Sequence, residues 1–177
     1  MLTESTGWRE TLGWYVRAPE ANATARTLLG PFGAEPVRVA SETIGFSSAR
    51  KWSAVSFSDA EGTWVLGAPE MIFGAAATDA DDPLGAIVTA RAASGRRTLV
   101  LGFAPASLTA ADAEAERLPE GLLPAAVLTF REKVREDAAQ TRAYFQEQNV
   151  DIRVISGDNP RTVAAIESAA HWLQAHR

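Results

Sequence analysis

The sequence predicts an α+β protein in two parts: an antiparallel sheet with flanking helices up to about residue 122, then a β-α-β-α run. Three observations predict it. In Ser41 to Glu70, the apolar runs Trp52, Ala54, Val55, Phe57 and Trp64, Val65, Leu66 flank the polar hinge Ser58-Asp59-Ala60-Glu61-Gly62, as in a β-hairpin. Helix-compatible runs stop at chain breakers, one at Gly30-Pro31-Phe32-Gly33 and one at Ser94-Gly95. From Leu123 the texture changes to strand, helix, strand and helix in succession, the grammar of a parallel sheet.

In chain order, residues 8–16 mix apolar and polar side chains around Gly13 and predict a strand with a bulge. Ala18 to Leu29 predicts a helix, and Pro36 to Thr43, with Val37 and Val39 alternating with Arg38 and Ala40, predicts a strand feeding the hairpin. Met71 to Phe73 form a short apolar turn ending at Gly74. The carboxylates of Asp79 to Asp82 resemble a metal cluster, but an EF-hand loop counted from Asp79 needs a glutamate where Ala90 stands. They read instead as a helix start, with Asp82 as cap, Pro83 at the first position and the helix running to about Ala93.

Arg97 to Ala104 predicts a strand, and residues 105–122 a loop with one short helical turn. Then come a strand in Pro124 to Phe130, a helix from Glu132 to Gln148, a strand from Asp151 to Ile155, the turn Ser156 to Asn159 and a helix opening at Pro160. A domain boundary near residue 122 follows.

Composition narrows the function. The chain has 177 residues, 46% hydrophobic and 22% charged, the balance of a globular protein with a full core. No apolar run is long enough to span a bilayer, and the first residues lack the basic and apolar regions of a signal peptide, so neither insertion nor export is expected of the chain as given. Without cysteine there is no disulfide or thiol nucleophile, and His171 and His176 alone make a poor zinc site. A net charge of -5 argues against nucleic acid as a partner, so an anionic ligand must find local cations.

The hairpin supplies them. Gly45 to Lys51 place one aromatic ring, two hydroxyls and two cations in a short loop, and Gly67-Ala68-Pro69-Glu70 closes the second strand with a bare glycine. A ring to stack on, a cation for phosphate and room beside the backbone suit an adenine nucleotide; they also occur in hairpins that bind nothing. Ser48-Ala49-Arg50-Lys51 matches the Ser-x-x-Lys acylation motif as well, but that chemistry needs the serine at a helix start and a Lys-Thr-Gly strand, which the sequence lacks. The phosphate-cradling Gly-x-x-x-x-Gly-Lys-Ser/Thr loop, His-Glu-x-x-His and Gly-x-Ser-x-Gly do not occur.

Four motifs in one order, Phe-Ser-Ser-x-Arg-Lys-x-Ser-x-Val from Phe46, Gly-Ala-Pro-Glu from Gly67, Gly-Arg-Arg-x-Leu-x-x-Gly-x-Ala from Gly95 and Ser-Gly-Asp-Asn from Ser156, resemble the cytoplasmic part of P-type cation-transporting ATPases. The resemblance runs from Leu2 to about Ile166, and its nearest branch is the bacterial cation-transporting ATPase E group, calcium pumps of actinobacteria. It implies a nucleotide-binding domain over residues 1–122, a fragment of the HAD-like phosphorylation domain over 123–166 and a tail over 167–177 that fits the family poorly. Residues 1–4 look like the stretch that follows the phosphorylated Asp-Lys-Thr-Gly-Thr loop, which places that aspartate outside the chain.

The resemblance further implies ATP with Mg2+ as the ligand. Phe46 stacks on adenine, Glu42 contacts the adenine side, Lys51 lies near the phosphates, Gly67 and Ala68 line the pocket floor, and Arg97 reaches phosphate or ribose. Asp158 supports the phosphorylation site. It implies as partners the remaining phosphorylation, actuator and transmembrane domains of a plasma-membrane pump, with this part on the cytoplasmic side.

Three departures stand out. Leu66 replaces the usual lysine before Gly-Ala-Pro-Glu, Ser48 replaces an arginine, and the Asp-Pro-Pro-Arg hinge reads Leu128-Thr129-Phe130-Arg131-Glu132, followed by Arg135 and Asp137. The first two predict weak nucleotide binding, and leave open an interaction module whose pocket has decayed.

Overall fold

The structure, a computed structural model, describes residues 6–131 and 137–150. A five-stranded sheet in the order β1-β2-β3-β4-β5 is built from Ala40–Ile44 (β1), Trp52–Phe57 (β2), Ala60–Gly67 (β3), Arg96–Ala104 (β4) and Leu123–Arg131 (β5). The pairs β1–β2, β2–β3 and β3–β4 are antiparallel. The helices are Trp8–Arg17 (α1), Ala23–Arg26 (α2), Leu29–Phe32 (α3), Pro69–Phe73 (α4), Pro83–Ala93 (α5), Ala110–Glu114 (α6) and Ala138–Glu147 (α7). Met1–Ala77 with Leu99–Leu128 form one compact unit, and Thr78–Thr98 with Thr129–Arg177 the other.

In the first unit the β2–β3 hairpin is buried from both sides, which is why its residues read as nearly continuous apolar runs. Ala54 and Val65 pair across the strands and share one face with Ile44 and Trp52, where Ile72 of α4 and Leu108 cover them and Phe73, Leu118 and Leu122 pack at the rim. Val55 and Trp64, the next pair, point to the opposite face. There α1 lies against the sheet: the Trp14 ring meets Phe57 edge-on at 5.9 Å, and the Tyr15 hydroxyl sits 3.2 Å from the Ser53 carbonyl oxygen and 3.1 Å from that of Trp64. Complete burial of one such Leu or Val contributes about 1.5–3 kcal/mol.

A polar chain runs through this core without an orphan. The Thr63 hydroxyl donates to the Ala106 carbonyl at 2.7 Å, so it must accept from Ser56 at 3.0 Å, and Ser56 in turn accepts from the Leu108 amide at 2.9 Å. These bonds fix the crossing that brings residues 106–108 over the hairpin.

Several expectations change. Residues 8–16 are helix, not a bulged strand, because Thr11, Leu12, Tyr15 and Val16 are buried at helical spacing. Gly13 marks a close contact rather than a bulge: a Cβ there would stand 3.0 Å from the Phe32 carbonyl oxygen and 2.8 Å from Glu35 Cβ. The helix expected over Ala18 to Leu29 is two short ones, α2 capped by the Asn22 side chain and α3, which contains Gly30 and Pro31. The strand expected from Pro36 begins only at Ala40, and Met71 to Phe73 belong to α4 with Pro69 in its first turn.

The hairpin, the strand at Arg97 to Ala104 and the short helix within 105–122 are present. β5 is hydrogen-bonded into the same sheet as β1 to β4.

In the second unit α5 has the expected start: Asp82 accepts from the Leu84 amide at 2.8 Å and Pro83 occupies the first turn. Among the described residues no three His, Cys, Asp or Glu side chains converge as metal ligands, and no helix is long and apolar enough to cross a membrane. The strand expected at 151–155, the turn Ser156 to Asn159, Asp158 and the 167–177 tail lie outside the described residues.

Candidate functional site

The loop from Gly45 to Lys51 is built by its own sequence. Ser47 is its hub: the side-chain oxygen accepts from the Arg50 amide at 3.2 Å and the carbonyl accepts from the Lys51 amide at 2.8 Å, a hydroxyl-stabilised turn. Lys51 ends the turn in the left-handed region at φ 58°, which costs a side-chain-bearing residue about 1–2 kcal/mol and reverses the chain into β2. Phe46 stands at the other end of the turn with 40% of its surface exposed, although the hairpin behind it is buried. An exposed ring on a hydrogen-bonded turn is what base stacking needs.

The far side of the site is the end of β3. Gly67 pairs with Trp52, and the Ala68 amide donates to the Lys51 carbonyl at 2.9 Å. Sequence reasoning put Gly67 here as room for a ligand. The group that approaches is the chain itself, since a Cβ on Gly67 would strike the Lys51 carbonyl oxygen and lie 2.6 Å from Trp52 Cα. Gly67 therefore lets the hairpin close tightly, and Lys51, Gly67 and Ala68 meet at one end of the sheet beside the Phe46 loop.

Glu42 lies elsewhere on β1. It is half-buried and pairs with Ser56, four positions along β2 from Trp52, about 13 Å at the usual rise per residue. Arg97, half-buried in β4, falls in the second compact unit. Ser48 is exposed in the turn and Lys51 follows in a left-handed conformation, so the serine of the Ser-x-x-Lys match does not open a helix. Leu66 is buried, 5% exposed, within β3.

The second cation of the loop, Arg50, turns inward. One terminal nitrogen donates to the Gly45 carbonyl, the other pairs with the Glu116 carboxylate just past α6, and the guanidinium lies 5.2 Å over the Trp52 ring. Sequence reasoning grouped Arg50 with Lys51 as a loop cation and passed over Glu116 and Trp52. Ser47 carried a legible signal, a hydroxyl three residues before the amide it accepts; Glu116 carried none, being distant in the chain.

No family model matches the chain. Among curated proteins it is 34% identical over 145 residues to a calcium-transporting ATPase CtpE of Mycolicibacterium smegmatis, covering 82% of this chain and 17% of that protein. It is 37% identical over 150 residues to the CtpE of Mycobacterium bovis, with the same two coverages. It is 31% identical over 163 residues to a probable cation-transporting ATPase exp7 of Streptococcus pneumoniae, covering 92% of this chain and 19% of that protein. Among solved structures, a zinc-transporting PIB-type ATPase aligns over 93% of this chain and 23% of its own, at 14% identity and a TM-score of 0.46. The chain thus spans less than a fifth of the length of these curated relatives, and by its similarity to them along most of its own length it belongs to the cation-transporting P-type ATPases.

Proposed function

We propose that this chain is the ATP-binding portion of a membrane pump that couples ATP hydrolysis to cation transport. The observation that carries the proposal is the exposed Phe46 ring, held by the Ser47 turn at the same end of the sheet as Lys51 and Ala68, in a chain related to transport ATPases. In this reading Phe46 stacks on adenine and Lys51 faces phosphate, with Gly67 and Ala68 as the floor, Glu42 toward the base and Arg97 as a further phosphate or ribose contact. Magnesium enters on the phosphates, which it neutralises during transfer. Asp158 belongs to the phosphorylation-domain portion, which in this reading covers residues 123–166.

Binding is expected to be weak. Stacking of a base on one ring contributes about 1–3 kcal/mol and one charge-assisted hydrogen bond about 1.5–3 kcal/mol. Together they bracket the roughly 4 kcal/mol of a millimolar complex. Buried Leu66 and the short Ser48 add no cation. The chain contains no Asp-Lys-Thr-Gly, so positioning is its task, and it neither phosphorylates itself nor turns ATP over. Calcium, named for two of the relatives, is the proposed cargo, and the proposed setting is the cytoplasmic side of the plasma membrane, with the pump's other domains as partners.

An ATP titration followed by amide NMR, with and without magnesium, tests the reading. Shifts at Phe46, Lys51 and Ala68 that weaken in Phe46→Ala are expected. An unchanged spectrum at millimolar ATP overturns it in favour of an interaction module, and a steady ATPase rate abolished by Phe46→Ala contradicts the division of labour.

A further inference from the structure

We infer that Arg50 and Glu116 form a clasp that holds the Phe46 loop in its ligand-ready shape, making Arg50 a positioning residue of the site. The inference rests on the nucleotide reading above and adds a pair of residues to which that reading gives no role.

The geometry carries it. Arg50 reaches three elements at once: the Gly45 carbonyl at the start of the loop, the Glu116 carboxylate beyond α6 and the Trp52 ring at the start of β2. Its backbone amide is held in addition by the Ser47 side chain at 3.2 Å. Phe46 is thus enclosed between the residue that Arg50 grips, Gly45, and the residue that caps the turn, Ser47. The guanidinium is mostly buried, with 17% of the side chain exposed, whereas the Glu116 side chain is 56% exposed, so removing Glu116 leaves a largely buried cation short of a partner. Its Nε is buried without a partner, so the side chain depends on its two terminal contacts. Glu116 itself adopts the left-handed backbone region at φ 50°, in a segment that α6 starts with a capping box at Thr109 and Asp112. A loop of seven residues carrying an exposed aromatic ring otherwise samples many orientations, and each lost orientation reduces the cost of binding. Lysine cannot replace Arg50 here, because only the guanidinium fork reaches Gly45 and Glu116 together.

The test uses the 177-residue chain with Arg50→Met, Arg50→Lys, Glu116→Gln and the Arg50→Met/Glu116→Gln double variant. Two readouts are taken: hydrogen exchange of the Arg50, Lys51 and Ala68 amides without ligand, and affinity for ATP and for adenosine. Each single variant is expected to speed exchange of the Arg50 and Lys51 amides while Val55 and Val65 keep their protection. Arg50→Met and Glu116→Gln are each expected to weaken ATP and adenosine by the same factor, about tenfold, the size of one charge-assisted hydrogen bond. The double variant should lose no more than the worse single one, and Arg50→Lys should recover only part of the loss.

Equal loss for adenosine and ATP separates loop positioning from a phosphate contact, which touches ATP alone. If the wild type binds ATP, Phe46→Ala weakens it and the clasp variants do not, the clasp is overturned and the nucleotide reading stands. If the wild type binds neither ligand, the nucleotide reading falls and the positioning role falls with it. If Val55 and Val65 lose protection together with the loop, the pair is a fold element and the positioning role is overturned.

Discussion

A single missing Cβ decides how the hairpin meets the candidate site. Gly67 lies against the Lys51 and Trp52 backbone, neither of which can step aside as a flexible side chain would. Gly67→Ala should therefore lower stability by roughly 1–3 kcal/mol, as overpacking does, and shift the urea midpoint with its slope unchanged. An unchanged midpoint would mean that the hairpin end is loose. Tyr15 offers a second residue-scale test. Burial pushes its phenol pKa above the ordinary value, with the hydrogen bonds to backbone and side chain acting in the opposite sense. A raised folded pKa means that the unfolded chain gives up its proton first as pH rises past about 10, so the contribution is complete below that pH and is lost above it. Tyr15→Phe should cost about 1 kcal/mol at neutral pH, by loss of its hydrogen bonds, and flatten the alkaline limb of stability. The same alkaline slope in both proteins would rule out Tyr15 as the buried proton holder.

Leu66 marks where reasoning from residue to pocket needs the strand around it. In the sequence the resemblance implies a lysine at this position, so that leucine reads as one cation taken from the pocket. In the structure it is 5% exposed, among the buried positions of β3, and pairs with Ser53 and Leu101. Leu66→Lys should not tighten ATP. It should destabilise the chain by several kcal/mol or force the lysine to lose its charge, since an unpaired ammonium in a core is costly. Thermal melts at about pH 7 and pH 10, the latter near the ordinary lysine pKa, distinguish the outcomes. Recovery at high pH is the signature of a buried ammonium, and tighter ATP binding with an unchanged melt would return Leu66 to the pocket.

Elements were legible where period and punctuation agreed. The β2–β3 hairpin, β4 and α5 followed from apolar runs bounded by Gly, Ser or Pro, and Asp82-Pro83 marked the α5 start. The first helix was not, because Trp, Tyr, Val and Thr favour strands and Gly13 suggested a bulge, while the deciding fact was which residues face the sheet. The stretch after it was read as one helix although Asn22 restarts the chain inside it. The site divided along the same line: Phe46, Lys51 and the Gly67 turn are local and were visible, whereas the Arg50 to Glu116 contact joins distant parts of the chain and leaves no period. α6 illustrates what a local signal is worth. Thr109 and Asp112 bond each other's amides, so Thr109→Ala should cost about 1 kcal/mol and loosen α6 in hydrogen exchange. The hydrogen bond from the Thr109 side chain leads the effects that hold the Asp112 carboxyl below its ordinary pKa. Its contribution is therefore present above the unfolded value near 4 and disappears as pH falls through the lower folded value. Asp112→Asn should flatten that acid limb, and an unaltered limb would show that the box does not close in solution.

On the scale of the whole molecule, charge would set how the proposed nucleotide arrives. The chain carries a net charge of -5, and the loop directs one of its two cations inward to Glu116. An approaching ATP anion therefore meets a field that is repulsive beyond the first few ångströms, in contrast to a basic cleft that draws anions in. Salt screens this repulsion over a Debye length of about 10 Å at 0.1 M, while stacking on Phe46 is insensitive to salt. Two consequences are measurable in one titration series. MgATP, with less charge than free ATP, should bind at least as tightly at low salt, and raising the salt to about 0.1 M should leave ATP affinity nearly level because lost attraction at Lys51 is offset by lost repulsion from the rest. Adenosine should keep the stacking share of the affinity and lose the phosphate bond's share. A steep loss of ATP affinity with salt, or adenosine that fails to bind where ATP binds, would mean that phosphate contacts dominate, and the weight placed on Phe46 would have to move to Lys51 and Arg97.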